Sequence, residues 1–414
     1  MIGRVFLRGG VLVLALLWAT FAGAQDSGKP LVRAITGFVR ITADDYQPRI
    51  AEALSVLRAA KSDFEAQGYK VDALRIVTQP ASQIVQGLSD AQALALFKAL
   101  DELGTKEEFT PSVGAAMLRD SDDPRAMHLI AKALSVPTRL HANASIAGAD
   151  GIHWTVIRES ADLVRHLADD STDSRGTLFF TGTAMVEPYS PFFPGAYHDG
   201  PGKVFSVGLE GASVVQEVFA RTHGDFNRSV VELTRQLTVH AKAAEAIGTR
   251  VASAKGWTFA GVDPTPAPRP GVSIGGAIET YTGARFGSSG TMTAALIITT
   301  AVKAVPVKQV GYSGLMIPIM EDDVLSRRWA EKAITIDSML AYSAVCGTGL
   351  DTIPLPGATS VEQLGRIFGD VASLAWKWKK PLSARLQPIK GKGAGDPTPF
   401  KSRFLSNTKI QELP

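Results

Sequence analysis

Cysteine occurs once in 414 residues, at Cys346, so the chain has no internal disulfide and its stability must come from a packed core. Charge of either sign is not in excess: 43 basic residues face 40 acidic ones, for a net +3. That balance, with no basic run outside the C-terminal tail, argues against a nucleic-acid partner. Past residue 24 no run is long and apolar enough to span a bilayer. Ready-made metal signatures such as H-E-x-x-H are missing, and the Gly/Ser loop at 283–290 lacks the Gly-Lys-Ser/Thr of a phosphate-binding P-loop.

What is present is ordinary globular chemistry, with 45% hydrophobic and 20% charged residues in 43.9 kDa, enough for a large core. The N-terminus differs. Arg4 and Arg8 precede an apolar run over 11–24 that closes on Ala22-Gly23-Ala24. A basic start, a short apolar stretch and an A-x-A ending read as a secretory signal over 1–24, cut after Ala24. The run is shorter than the ~20 residues a spanning helix needs. The expectation is therefore a periplasmic or secreted protein with no membrane contact after cleavage, its folded part covering 25–414.

Along that part, β-branched apolar runs alternate with amphipathic stretches. Strands are expected at 31–41, 71–78, 177–186, 203–209, 257–263, 308–314 and 381–389. Helices are expected at 226–254, 291–304, 322–332 and 360–379, the last opened by a Ser360/Gln363 capping box. An earlier helix places Ile50, Leu54, Leu57 and Phe64 on one face, and another starts near Ser89. Alternation of this kind predicts an α/β fold, a single domain with a largely parallel sheet and helices outside, closed as a barrel. The Gly-, Pro- and Lys-rich C-terminal stretch is expected to wrap the surface or close over a site.

Several loops carry candidate chemistry. Asp263 lies in "GVDPTPAPRPG", where four prolines stiffen the backbone. "FGSSGTMTAA" runs into a helix whose first N–H groups, at Gly290 and Thr291, suit an anion, although ordinary capping explains the same residues. His198 sits in "PFFPGAYHDG" and Glu210 in "GLEGAS", at strand ends where α/β folds bind ligands and where a divalent metal is a candidate cofactor. In "MEDDVLSRR" three acids begin a helix, and capping accounts for two of them. Arg385 ends a strand, and Lys392 follows on a glycine-hinged loop suited to closing on a carboxylate or phosphate. In "SAVCGTGLDTIPLPG", Cys346 ends a helix, with Thr348 and Asp351 close behind. A helix C-terminus raises a thiol pKa, so the position fits a buried structural cysteine as well as a reactive one.

Taken together, "GVDPTPAP", "SIGGAIE", "FGSSGTMTAA", "VGYSGLMIPIMED", "YSAVCGTGLDTIPLPG" and "KPLSARLQPIKGKGAGD" resemble the DUF711 family, also called UPF0210, over nearly the whole chain after residue 24. The resemblance implies a barrel like that of the pyruvate formate-lyase-like glycyl radical enzymes: ten strands in two antiparallel halves. It also implies an interior loop bearing Cys346, near Asp263, Glu279 and Arg385. The C-terminal glycyl-radical segment of those enzymes is replaced here by "IKGKGAGD", so no glycyl radical is expected. The expected function is an enzyme acting on a small polar or anionic metabolite inside the barrel. In that reading Cys346, Asp351 and Asp263 are catalytic, and His198, Glu210, Glu279, Gly290, Thr291, Thr348, Arg385 and Lys392 bind the ligand. The alternative is a periplasmic small-molecule binding or sensing protein without catalysis. A homo-oligomer is left open by either.

Overall fold

The computed structural model describes residues 29–413. The expected signal peptide at 1–24 lies outside the described residues. Ten strands form one sheet: β1 (Leu31–Val39), β2 (Leu74–Thr78), β3 (Thr110–Ala115), β4 (His141–Gly148), β5 (Gly151–Ile152), β6 (Phe180–Ala184), β7 (Val204–Glu210), β8 (Thr258–Asp263), β9 (Gly349–Pro356) and β10 (Leu382–Ile389). Their order is β8-β7-β1-β2-β3-β4-β6-β10-β9, with the short β5 on β4. Strands β1, β2, β3, β4 and β6 run parallel. β7 with β8, and β9 with β10, are parallel pairs of the opposite direction, joined antiparallel at β1/β7 and β6/β10. The sheet thus consists of oppositely running halves, as the resemblance implied.

Helices cover the outer face because each strand-to-strand crossover must bury one apolar stripe. The helix Tyr46–Ala66 buries Ile50, Leu54, Leu57 and Phe64, the face read from its spacing. Gly37 of β1 lets it approach, since a Cβ there would lie 3.3 Å from Leu57 Cδ1. The helix Val361–Trp378 starts at a capping box between Ser360 and Gln363. The other face of the sheet is filled by the connection between β6 and β7. Thr36 of β1, Asn143 of β4 and Ser206 of β7 donate to the carbonyls of Pro191, Ala196 and Tyr189 in that connection.

The edge strands β8 and β9 do not pair with each other. Segment 308–320 lies between them: Val262 N–H donates to Lys308 O (2.9 Å), while Gly347 and Ile319 link it to the β9 side at 2.9 and 3.0 Å. The strand expected at 308–314 is therefore an irregular stave, with a single ladder bridge at Val262–Gln309. The cause is local. Gly311 and Ser313 have φ of +67° and +42°, and the N–H groups of Tyr312 and Ser313 turn to the Asp263 carboxylate instead of a neighbouring backbone. The strand expected at 177–186 begins only at Phe180, its first residues forming a 3-10 turn. The stretch 349–356, read as loop, is β9. Its prolines are tolerated because β9 pairs on one side only.

Candidate functional site

Two register shifts in the sheet fall on charged residues. Between Val32 and Ala34 the first strand carries an extra residue against β7, and that residue is Arg33. Between Ala384 and Leu386 the neighbouring β9 carries the extra residue, in the Asp351–Thr352 step. Thr352 there has φ +51°, an unusual value for a β-branched side chain, and its Oγ1 accepts from Met320 N–H at 3.0 Å. Bulges of this kind re-aim side chains next to functional sites. Both sets line one cavity of about 410 Å³.

Its floor is an ion-pair chain. Arg385 Nε donates to Asp351 Oδ1 at 2.6 Å and Nη2 to Glu321 Oε1 at 2.5 Å. Arg33 lies 3.7 Å from the other Glu321 oxygen and donates to Glu210 Oε2 at 3.2 Å. Glu210, at the end of β7, also accepts from Arg269 Nε at 2.6 Å. Burial raises the Asp351 carboxyl, with the Arg385 charge opposing it, and burial likewise outweighs two arginines at Glu210. The same carboxylates hold the Arg385 guanidinium above its ordinary value against burial.

Arg75, on β2, differs from these two. No carboxylate pairs with it among the described residues, and its Nε is buried without a partner. Burial first, then the Arg33 charge, pushes it down to about 10 against the weaker pull of Asp72 and Glu321. Beside it His141, at the start of β4, stacks between Phe179 and Phe193, with ring centroids 5.4 and 4.0 Å apart. Loss of water and the guanidinium groups of Arg75, Arg385 and Arg139 hold that imidazole well below its usual pKa, so it is neutral. Phe193 also lies under Arg385, 5.6 Å from ring centroid to guanidinium carbon. Six arginines and three carboxylates line the cavity in all. The C-terminal stretch closes one side of it with Ser402–Leu405. Asn407 fixes the neck of that loop, accepting from Phe400 N–H (3.1 Å) and donating back to Phe400 O (2.9 Å).

The other expected site residues lie elsewhere or are fully occupied. Asp263, wholly buried, accepts from Thr265 N–H (3.0 Å), Thr265 Oγ1, Ser313 N–H (3.1 Å) and Tyr312 N–H (2.8 Å); it pins the irregular stave to β8. Cys346 is buried in the apolar core and is absent from the cavity lining. Its carbonyl, with that of Ser343, accepts from Lys380 Nζ, which caps the helix Ile336–Ser343. The glycine after it serves close packing: a Cβ on Gly347 would lie 2.7 Å from Gly314 Cα. Thr348 donates to Leu315 O at 3.3 Å. Glu279 receives Arg328 at 2.6 and 3.0 Å between two outer helices. Thr291 Oγ1 accepts from Gly287 N–H at 3.0 Å and so ties the preceding loop, while the helix starts after Gly290 (φ +99°) with no side-chain cap. Lys392 O accepts from Gly357 N–H at 2.8 Å in a turn. His198 is buried against Phe38 and Tyr189, its Nε2 2.9 Å from Val39 O. Among the described residues no cluster of three His, Cys, Asp or Glu side chains is arranged to hold a metal.

A profile described as "Uncharacterised ACR (DUF711)" matches residues 27–402. The chain belongs to the DUF711 family. It is 32% identical to a UPF0210 protein of Pyrobaculum aerophilum, over 88% of this chain and 86% of the relative. It is 29% identical to one of Methanopyrus kandleri (86% and 82%) and 27% identical to one of Carboxydothermus hydrogenoformans (93% and 89%). For this DUF711 chain the residues that the sequence reading missed are Arg33, Arg75, His141 and Glu321. A signal was present for the first two: each is a charge inside an otherwise apolar strand, "LVRAITGFV" and "LRIVT".

Proposed function

We propose that the protein binds a small anionic metabolite in the 410 Å³ cavity and acts on it there. One observation carries the reading: Arg75 is held in a dehydrated floor with no carboxylate bonded to it, the nearby acids Asp72 and Glu321 being engaged by Arg33 and Arg385. A charge left so costs free energy unless a ligand completes it. The neighbouring cations Arg33 and Arg385 already have acids, so an anion on Arg75 is not competing with them. The volume falls in the range of small-molecule sites. For catalysis, the bound anion offsets the arginine charges that depress His141, which then takes a proton from a C–H or O–H of that anion, and Arg75 and Arg385 offset the negative charge left there.

Calorimetric titration with inorganic phosphate, succinate and citrate tests the binding. At least one binds the wild type, and Arg75→Gln weakens it about tenfold or more. Absence of binding by all three, or indifference to Arg75, overturns the reading. His141→Gln then lowers turnover of the bound anion about 100-fold with Kd little changed. The proposal includes export, on the Arg4/Arg8, apolar 11–24 and Ala22-Gly23-Ala24 pattern. Protein recovered from a native host then begins at Gln25; an intact Met1 refutes that part.

A further inference from the structure

We propose that the ligand is a dianion with an apolar or aromatic middle. One anionic group sits on Arg75 at the floor and the other on the rim arginines Arg139, Arg175 and Arg403. The inference rests on the anion-site reading above and adds the substrate class.

The cations of the cavity fall into two tiers. Arg33, Arg75 and Arg385 are sunk in the sheet, and two of the three carry acidic partners. Arg139, Arg175 and Arg403 also line the cavity but are exposed, and come from three separate segments. None of their side chains has an ion-pair partner among the described residues; Arg403 is set 4.6 Å over the Phe404 ring. The three lining acids do not serve this rim. Asp72 lies 3.6 Å from Arg33, and Glu321 and Asp351 are held by Arg385. Each tier therefore keeps at least one guanidinium to which no protein carboxylate is bonded.

The cavity also carries apolar side chains. Phe179, Phe192, Phe193, Phe404 and Met316 face the cavity together with the stacked His141 ring. A molecule charged throughout its length would lose water along this wall without recompense. A molecule charged at its two ends meets one tier with each end and the aromatic wall with its middle. Carboxylate and phosphate ends share the chemistry that a guanidinium fork recognises.

The test is a matched-pair titration of the full chain: terephthalate against benzoate, adipate against hexanoate, and phenyl phosphate against 4-carboxyphenyl phosphate. The member of each pair that carries two separate anionic groups binds about tenfold tighter than its partner lacking the second end. The surface double variant Arg175→Gln/Arg403→Gln reduces that ratio to about twofold while leaving the singly ended ligands unchanged. Arg75→Gln weakens both members of each pair alike. Equal affinity within pairs, or a ratio indifferent to the rim variant, overturns the dianion proposal and leaves the anion site standing if Arg75→Gln still weakens binding. Loss of all binding in wild type overturns both. The relative strength of the phosphate and carboxylate pairs identifies the end group.

Discussion

Replacing Arg385 by methionine removes a guanidinium from between two acids while keeping an unbranched side chain in its place. Asp351 loses its 2.6 Å donor and Glu321 its 2.5 Å donor, and both carboxylates stay in the cavity floor. Breaking a buried pair by deleting one partner costs about 3–5 kcal/mol, most of it from the charge left behind. The cost must depend on pH. Asp351 is already raised by burial, and losing the opposing Arg385 charge raises it further. A folded-state pKa above the unfolded value means that the folded protein holds the extra proton. Its stabilising contribution is complete below the unfolded pKa, about 3.9, and disappears as pH rises through the folded value. The deficit of Arg385→Met is therefore larger at pH 8 than at pH 5. Urea unfolding followed by tryptophan fluorescence and far-ultraviolet dichroism at the two pH values measures it. Adding Asp351→Asn and Glu321→Gln recovers all but about 1–2 kcal/mol at pH 8, because no orphaned charge remains. An Arg385→Met protein within about 1 kcal/mol of wild type at pH 8, or a deficit that grows on acidification, refutes the assignment of this network as a mutually dependent buried set.

Asp263, raised by burial to about 6 against an ordinary 3.8, favours the folded state most at low pH and loses that contribution as pH climbs past 6. The linkage is worth about 3 kcal/mol at most, so Asp263→Asn costs more at pH 4 than at pH 7, read by the same unfolding curves. Cys346→Ala costs about 1 kcal/mol and Cys346→Ser about 1–3, since it puts a hydroxyl into the apolar core. Both leave anion affinity unchanged in the titration, and the native thiol resists an aromatic disulfide reagent that labels the unfolded chain at once. Gly261→Ala sets a Cβ 2.2 Å from Lys308 O at φ +144°, where only glycine fits. It costs about 3 kcal/mol or more in the urea midpoint by prying segment 308–320 from β8.

The architecture was legible because its signals are periodic. The buried stripe of Tyr46–Ala66 and the capping box before Val361–Trp378 are local patterns that tertiary contacts only reinforce. Capping by Asp322 and Asp323, with Glu321 left over, could also be read, because a helix needs acids only in its first turn. The cavity's use of Glu321 could not, since its partner Arg385 is 64 residues away. The lone cysteine drew attention for its rarity, and rarity carries no geometry: its glycines serve a backbone contact between Gly347 and Gly314. Asp263 shows the converse case. A carboxylate on a stiff loop after a strand resembles a catalytic acid, yet four protein donors use its lone pairs.

The rule that ligands bind at strand C-termini explains why some expected residues meet the cavity and others do not. It is a rule for sheets whose strands run one way. Glu210 ends β7 and His198 is tied to the end of β1, so both satisfy it. But β7 runs against β1, with Glu210 opposite Leu31 and Val204 opposite Phe38. The two residues therefore sit beside opposite ends of β1, about 25 Å apart at ~3.3 Å per residue. At the cavity end, β1, β2 and β4 contribute Arg33, Arg75 and His141 from their starts, β9 and β10 contribute Asp351 and Arg385, and Glu210 at the end of β7 reaches the site only through Arg33. A sheet of two opposed halves has no single C-terminal face. Its cavity takes Arg33 and Arg75 from the beginnings of one half and Asp351 and Arg385 from within the other, with Glu321 from the irregular stave between them, so the floor is an interlocked chain of both signs.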